Sequence, residues 1–307
     1  MRNYQLPLRM KLKRLTLADQ SRIERFLGMR PCGLSAYAFP NIYIWGDLFD
    51  IRWMVIADNL CIFFQDTVGQ FAYTSPLGKV VDPAAVAGCF KVMDRANANP
   101  AVSRIENISR QDVALYEKLG YTCRHKADEY VLSRVSLVNL AGDRFKSKRA
   151  CVNFFTKHYA ARYEQLAETD IRACLDLYEL WMNQRAAAHA EDAVYRGMLA
   201  DNLNSLKVAL ADYKRLKLTA RVVRVERAVR AFTIGCRLAA DTFCVLFEIT
   251  DPGFKGLSQF IFQRFCRELK DYAWINIMDD SGLPNLRRVK LSYRPQRIEP
   301  GYIATRT

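Results

Sequence analysis

The chain has few histidines and no cysteine spacing that is typical of a metal site. Only His125, His158 and His189 are present, each isolated in the sequence, and the nine cysteines form no Cys-x-x-Cys pair. Many of these cysteines stand among apolar neighbours, so buried free thiols are the better interpretation of them. We therefore expect no metal site.

Long apolar runs are also missing. The longest, around residues 53–64, is broken by Asp58 and Asn59, and none approaches the roughly 20 residues that a membrane-spanning helix needs. The basic N-terminus is not followed by the apolar core and small-residue cleavage site of a secretory signal. We expect a cytoplasmic globular protein.

Acidic residues are in deficit. The chain carries 46 Lys and Arg against 32 Asp and Glu, which gives a formal net charge of +14. Such a charge suggests a polyanionic partner, which can be nucleic acid, an anionic lipid surface or a phosphate-rich cofactor. Charge alone does not choose among these partners, and a basic surface without a specific partner remains an alternative.

The order of predicted elements is mixed α and β, and it repeats once along the chain. Each half is predicted as helices, three strands, a loop, helix, strand, helix and strand. The predicted strands of the two three-stranded stretches are 52–56, 60–65, 70–74, 218–225, 231–236 and 242–249. This repeated order predicts two similar α/β domains with mixed sheets.

A trace of duplication also remains in the sequence itself. Leu119, Tyr121, Tyr130 and Arg134 recur at one common spacing as Leu291, Tyr293, Tyr302 and Arg306. We place the domains at residues 1–140 and 141–307. The first half has no carboxylate in the place of Glu248, so we expect the N-terminal domain to be structural or acceptor-binding and the C-terminal domain to be catalytic.

A possible anion site follows the last strand of the second three-stranded stretch. Asp251-Pro252-Gly253-Phe254-Lys255-Gly256 separates this strand from a helical pattern that begins at Leu257. A helix that opens after a glycine-containing turn presents unpaired backbone N–H groups to phosphate. The candidate donor-binding residues are Gly253, Lys255, Gly256, Gln259, Arg287 and Lys290. An ordinary Asp-Pro-Gly turn and a solvated basic face remain the alternatives.

Acyl transfer needs a base for the nucleophile and a proton donor for the leaving group. Glu248 closes an apolar strand, where burial would raise its pKa into the range that suits a base. A strand-end glutamate paired with arginine is the alternative. Asp280 is a second candidate base, and Tyr293 is a candidate proton donor, although Tyr121 at the matching place suggests shared core architecture.

The junction of the two halves is strongly basic. It contains Arg144, Lys146, Lys148 and Arg149, followed by an apolar stripe in a predicted helix over 151–162. Such a pattern indicates either a polyanion site or a surface helix docked on the core. We expect the aromatic residues to pack on the core and some of the cations to contact an anion.

One motif of the first half resembles the GNAT acyltransferase superfamily. The stretch Ala114-Leu115-Tyr116-Glu117-Lys118-Leu119-Gly120-Tyr121 is similar to the Ala-x-x-Tyr-x-x-x-Gly-Phe signature of that superfamily. The order of a three-stranded stretch, a loop that holds the coenzyme A pyrophosphate, and a helix is also that of the superfamily. The resemblance implies two tandem GNAT-like domains.

Nearly the whole chain resembles the bacterial family related to the C-terminal domain of phosphatidylglycerol lysyltransferase. The residues that carry this resemblance include the 143–149 segment, Trp181 with Arg185, Ala231-Phe232-Thr233-Ile234-Gly235, Glu248, Gly256 with Gln259, and the segment 286–295. Members of this family transfer an aminoacyl group from a charged tRNA or are uncharacterised.

These observations lead to a reading of the function as an acyltransferase. The resemblance implies aminoacyl transfer from aminoacyl-tRNA to an amine or hydroxyl acceptor, which can be a small molecule, a peptide or a lipid. A coenzyme A dependent N-acetyltransferase is the first alternative, and a catalytically inactive GNAT pair that binds tRNA or another polyanion is the second. No tightly bound cofactor is expected beyond the donor, aminoacyl-tRNA or acyl coenzyme A.

Overall fold

The computed structural model describes residues 12–189 and 191–306. The fold is mixed α/β, and the chain divides into two compact units. The first unit draws on Met1–Glu129, Asp279–Pro284 and Ile298–Thr307, and the second on Tyr130–Met278 and Asn285–Arg297. The C-terminal strand of the chain therefore belongs to the first unit.

The first unit is a mixed sheet with four α-helices among its described residues. Its strands, in spatial order, are β1 (Lys13–Arg14), β2 (Asp50–Ile56), β3 (Asn59–Gln65), β4 (Gln70–Ala72), β5 (Arg104–Ser109), β12 (Arg297–Arg306) and the first part of β6 (Tyr121–Ser133). Its helices are α1 (Gln20–Met29), α2 (Phe39–Tyr43), α3 (Pro83–Ala96) and α4 (Val113–Lys118).

Local chemistry explains several of these boundaries. Ala57 and Asp58 both have positive φ, which is the backbone that a tight hairpin between β2 and β3 requires. Helix α3 begins where the Asp82 side chain accepts a hydrogen bond from the backbone N–H of Ala84 at 2.7 Å, with Pro83 at the first helical position. Strand β4 runs parallel to β5, whereas β12 runs antiparallel to β5.

The second unit repeats this plan with additional helices. Its strands, in spatial order, are the end of β6, β11 (Trp274–Asn276), β10 (Thr242–Thr250), β9 (Ala228–Arg237), β8 (Thr219–Val225) and β7 (Ala161–Gln165). Its helices are α5 (Arg134–Asn139), α6 (Lys146–His158), α7 (Ile171–Ala188), α8 (Ala193–Ala211), α9 (Leu257–Glu268) and most of α10 (Pro284–Leu291).

Strand β10 has different partners along its two edges. It pairs in parallel with β11 only from Thr242 to Cys244, but it pairs with β9 as far as Thr250. A β-bulge interrupts the β9 pairing between Val245 and Phe247. In the described part of the chain, β10 and β11 therefore separate after Cys244, and a bulge of this kind bends and twists the strand where they do so.

The structure differs from the sequence prediction in three places. The helix predicted over 151–162 begins earlier and ends at His158, and strand β7 follows it. Strand β6 begins at Tyr121, well before the predicted last strand of the first half. The units are not the continuous stretches 1–140 and 141–307, because β12 pairs with β5 of the first unit.

Within residues 12–189 and 191–306, no helix combines the length and the apolar character that crossing a bilayer requires.

Candidate active site

Glu248 lies near the end of β10, past the point where β10 leaves β11. Its Oε1 accepts a hydrogen bond from the Ser258 hydroxyl at 3.4 Å. Its Oε2 is shielded from solvent and has no hydrogen-bond partner among the described residues. Burial raises the pKa of Glu248 to about 8, and the Ser258 hydrogen bond opposes this rise only in part. The alternative that Glu248 is a structural glutamate paired with arginine is not supported, because no such arginine is seen among the described residues.

Tyr293 lies near enough to this carboxyl group for Glu248 to affect the Tyr293 pKa. The Tyr293 side chain is buried, and its ring meets that of Phe262 edge to face at 5.1 Å. Burial is the largest of the causes that raise the pKa of Tyr293 well above its usual value, and the neighbouring Glu248 and Cys266 raise it further. A side-chain hydrogen bond with Gln259 lowers it. Tyr293 is therefore held as a neutral phenol close to Glu248.

Lys148 covers the ring of Tyr293. Its ammonium nitrogen lies 4.0 Å from the ring centroid, at cation–π distance. The side chain is half-buried, and burial lowers the pKa of Lys148. The structure thus brings together Glu248, Gln259 and Tyr293 with Lys148, which the sequence analysis assigned to the basic junction.

Gly256 fixes the approach of α6 to the start of α9. It has a left-handed backbone with φ of 85°, and a Cβ atom at this position would lie 2.1 Å from the carbonyl oxygen of Cys151. A side chain is therefore excluded by the α6 backbone as well as by φ. This close packing is an independent reason for glycine here, and it places Lys148 on α6 near the site.

The rest of the predicted donor loop makes contacts of its own. The Gly253 N–H donates to Asp251 Oδ1 at 2.9 Å, which closes the turn with a carboxylate of the same loop. Lys255 is exposed, and its ammonium lies 4.8 Å from the Phe154 ring centroid. This geometry accounts for Gly253 as a turn residue, and phosphate binding by Gly253 and Lys255 stays a prediction.

The other predicted residues take various positions. Arg287 is exposed. Lys290 donates a hydrogen bond to the carbonyl oxygen of Ile277. Asp280 belongs to the first unit, where its Oδ1 accepts from the Gly282 N–H at 3.0 Å. Asp280 is thus engaged in a turn of the first unit, whereas Glu248 and Tyr293 lie together in the second.

The basic junction divides into two pairs. Arg144 and Lys146 are exposed and remain accessible to an anion. Arg149 instead donates hydrogen bonds to the carbonyl oxygens of Leu140 and Gly142, beyond the end of α5. Arg149 and Lys148 therefore have intramolecular contacts that account for them without a bound polyanion.

The family of the chain is shown by a match over most of its length. Residues 32–305 match the family described as phosphatidylglycerol lysyltransferase, C-terminal. The chain belongs to this family. The match includes the segment from Lys148 to Tyr293, and therefore every residue of the cluster around Glu248.

Solved structures resemble this member of the phosphatidylglycerol lysyltransferase C-terminal family over nearly its whole length. A conserved protein of unknown function from Bacteroides thetaiotaomicron VPI-5482 is 25% identical, with a TM-score of 0.86, and the match covers 97% of this chain and 100% of that chain. L-PGS from Bacillus licheniformis is 18% identical, with a TM-score of 0.65, and 94% and 92% of the two chains are covered.

A more distant likeness places the fold beside that of GNAT proteins. A tandem GNAT protein from the clavulanic acid biosynthesis pathway is 8% identical, with a TM-score of 0.55 and 96% and 98% of the two chains covered. At such identities, this likeness and that to L-PGS show the fold alone. No curated protein matches the sequence.

Two polar residues beside Glu248 were not predicted as site residues from the sequence of this family member. Ser258 donates to Glu248, and Thr233 lies directly opposite Glu248 in the β9–β10 pairing. Thr233 is an isolated hydroxyl in the otherwise apolar stretch 231–236 of β9, which was the available signal. In the described residues, no cluster of three or more His, Cys, Asp or Glu side chains is arranged to hold a metal ion.

Proposed function

We propose that the chain is an acyltransferase whose chemistry takes place in the second unit, and that its donor is an aminoacyl-tRNA. The observation that carries this proposal is the Glu248 carboxyl group, with a pKa raised to about 8 and an Oε2 atom that is shielded from solvent and has no partner among the described residues. Membership of the phosphatidylglycerol lysyltransferase C-terminal family supports it. A general base works best when its pKa lies near the working pH.

The proposed reaction uses Glu248 and Tyr293 in turn. Ionised Glu248 takes a proton from the acceptor's amine or hydroxyl, whose electron pair forms a bond to the acyl carbonyl carbon. The tetrahedral adduct then collapses, and the bond from the acyl carbon to the donor's ribose oxygen breaks. Tyr293 gives its proton to that oxygen, and Glu248 returns its own proton to the phenolate directly or through water. Burial keeps Tyr293 protonated until this step.

Replacement of Glu248 by glutamine tests this assignment. Glu248→Gln should keep the fold and donor binding but lower the rate of transfer by roughly a hundredfold, the low end for a positioned base. Asp280→Asn is the matched control, because Asp280 makes a turn hydrogen bond in the first unit. Full activity in Glu248→Gln together with loss in Asp280→Asn would assign the base to Asp280.

The net charge of +14 and the exposed Arg144 and Lys146 favour tRNA as the donor. An RNA backbone is followed by a broad basic surface, and its binding weakens steeply with salt. Replacing Arg144 and Lys146 together by alanine should flatten the log–log salt dependence by up to about two, roughly one for each lost phosphate contact. Arg149→Ala, which removes an internal contact, should leave the slope unchanged.

Coenzyme A is the second candidate donor, and one observation favours it. After Cys244, β10 has no paired strand on its β11 side among the described residues, and Glu248 on this stretch contacts Ser258 in the first turn of α9. The first turn of a helix offers backbone N–H groups that suit a pyrophosphate. Saturable binding of acetyl coenzyme A, without measurable tRNA affinity at low salt, would favour this donor. A protein that binds tRNA with no transfer activity would instead be an inactive GNAT pair.

We also propose that the two units are tandem GNAT-like domains that arose by duplication. Phe90 stacks on Tyr121 with ring centroids 4.5 Å apart, and Phe262 meets Tyr293 at 5.1 Å. The two pairs have the same sequence spacing. In the first unit, the pair joins α3, which comes after β4, to the beginning of β6. In the second unit, it joins α9, which comes after β10, to the segment between α10 and β12. Superposition of the units should bring Tyr121 onto Tyr293, and rings that do not coincide would contradict the duplication.

A further inference from the structure

Thr233, the strand partner of Glu248, carries a second oxygen atom without a hydrogen-bond partner among the described residues. Thr233 is fully buried, and its Oγ1 has no hydrogen-bond partner among the described residues, as is true of Glu248 Oε2. The two residues are direct partners in the antiparallel pairing of β9 and β10. Direct partners project from the same face of a sheet, with Cβ atoms about 5 Å apart. The side chains that carry these two oxygens therefore start side by side on one face of the sheet.

An unpartnered buried polar atom is costly, and native proteins contain few of them. Here two such atoms occur at paired positions, one on the proposed base Glu248 and one on Thr233. Ser258 already donates to the other carboxyl oxygen, so it does not satisfy either of them. This pattern is expected of a site whose hydrogen-bonding partner arrives with a ligand.

We propose that Glu248 and Thr233 form a subsite for a primary ammonium group of the substrate. An ammonium has three N–H donors and a positive charge, so it can donate to Glu248 Oε2 and Thr233 Oγ1 together and neutralise the carboxylate. A hydroxyl group can donate to Glu248 Oε2 and accept from the Thr233 hydroxyl, but it has no charge and therefore does not neutralise the carboxylate. The inference rests on the proposed function, in which Glu248 accepts a proton from the acceptor.

The other titratable groups around Glu248 should not contribute to a proton release on ammonium binding. Tyr293 and Cys266 lie close to Glu248, and burial raises the pKa of each well above its usual value, so both stay neutral near neutral pH. Cys151 lies near Tyr293, and Lys148 contacts the Tyr293 ring. Among the titratable groups packed here, Glu248 is thus the one that an ammonium would ionise.

Calorimetric titration with propylamine tests the subsite without any acyl donor. Near neutral pH, Glu248 is mostly protonated, so binding of the ammonium should release nearly one proton, detected by comparing buffers with different ionisation enthalpies. As pH is raised toward about 8, the apparent affinity for propylamine should rise about tenfold per pH unit, and above about 8 it should level off. The ionised fraction of Glu248 changes in the same way. Absence of propylamine binding, or binding equal to that of 1-propanol, would overturn the proposal.

Thr233→Val is the matched structural test, because valine keeps the shape and removes the hydroxyl. It should lower propylamine affinity about tenfold, the effect of one hydrogen bond to a charged group, and leave the melting temperature unchanged or raised. Thr74→Val is the control, since Thr74 is equally buried and its Oγ1 is also without a partner among the described residues. Thr233→Ser should retain the affinity, and unchanged affinity in Thr233→Val would remove Thr233 from the subsite.

Two further probes identify which substrate brings the ammonium. Alaninamide carries its ammonium beside a carbonyl, as an aminoacyl donor does, whereas ethanolamine represents an acceptor amine. Tighter binding of one of them supports the subsite and names its source. A protein that binds these amines but transfers no acyl group would keep the subsite and remove the proposed reaction. A protein that transfers the acyl group, but whose amine binding is unaffected by Thr233→Val, would keep the proposed reaction and remove the subsite.

Discussion

At the scale of the residue, the pKa of Glu248 predicts how activity depends on pH. A base must be ionised, so kcat/KM for acyl transfer should rise with pH and level off near 8, the value to which burial raises this pKa. The profile of Asp280→Asn should follow that of the unmodified protein. A rate that falls through this range would mean that Glu248 acts as an acid.

The same carboxyl group should also affect stability. Its pKa is raised from the ordinary 4.5 to about 8 by folding. The unfolded state therefore loses this proton at lower pH than the native state, and the free energy of unfolding should fall as pH rises from about 4.5 to about 8. Glu248→Gln removes this loss, so it should be the more stable protein by a few kcal/mol at about pH 8 and gain little near pH 4. Denaturant unfolding at both pH values measures the difference.

The sequence could predict Glu248 as a candidate base but not its pairing with Thr233. A carboxylate that closes an apolar strand is visible in the sequence, and burial follows from the residues around it. The pairing of Thr233 with Glu248 depends on the bulge between Val245 and Phe247. A regular count from Gly235 opposite Val245 would have placed Phe247 opposite Thr233 instead, and bulges leave no simple sequence signal.

At the scale of the element, substitution of Gly256 by alanine should destabilise the protein much more than the same substitution at Gly142, which also has a positive φ. Gly256→Ala places a Cβ against the Cys151 carbonyl, whereas Gly142, with φ of 79°, has nothing within 4 Å of such an atom. Gly142→Ala should cost only the strain of positive φ, about 1 kcal/mol. Gly256→Ala should cost clearly more and displace α6, and therefore Lys148, from Tyr293.

Thermal unfolding of the two variants compares these costs, and amine binding reports on the site. Equal melting temperatures would show that the close approach of α6 to α9 is not maintained in solution. Gly142→Ala should keep the binding of the unmodified protein.

The elements that were easiest to predict are those with local signals. The turn at Ala57 and Asp58 and the helix start at Asp82 and Pro83 depend on neighbouring residues alone. Strand β7 was missed because the helical pattern of α6 was extended to residue 162, which includes the first two residues of the strand. The early part of β6 was missed because its polar stretch, residues 124–128, has the composition of a loop. Its strand character depends on pairing with segments that are distant in the sequence.

At the scale of the whole molecule, the interleaved units predict that the first half cannot be cut out. A fragment of residues 1–140 lacks β12, which pairs with β5 in the first unit. The exposed strand edge should cause aggregation rather than cooperative folding. Expression of 1–140, compared with Met1–Glu129 joined by a flexible linker to Ile298–Thr307, checks this by solubility and thermal unfolding. A soluble, cooperatively folded 1–140 fragment would contradict it.

The unequal edges of β10 should be visible in amide hydrogen exchange. In an antiparallel pair, successive backbone N–H groups point alternately toward the partner strand and away from it. Beyond Cys244, only the amides directed toward β9 have a strand to protect them. Beyond the bulge, exchange along Phe247–Thr250 should thus alternate between slow and fast, and a ligand bound along this edge of β10 should slow the fast set while leaving the slow set unchanged.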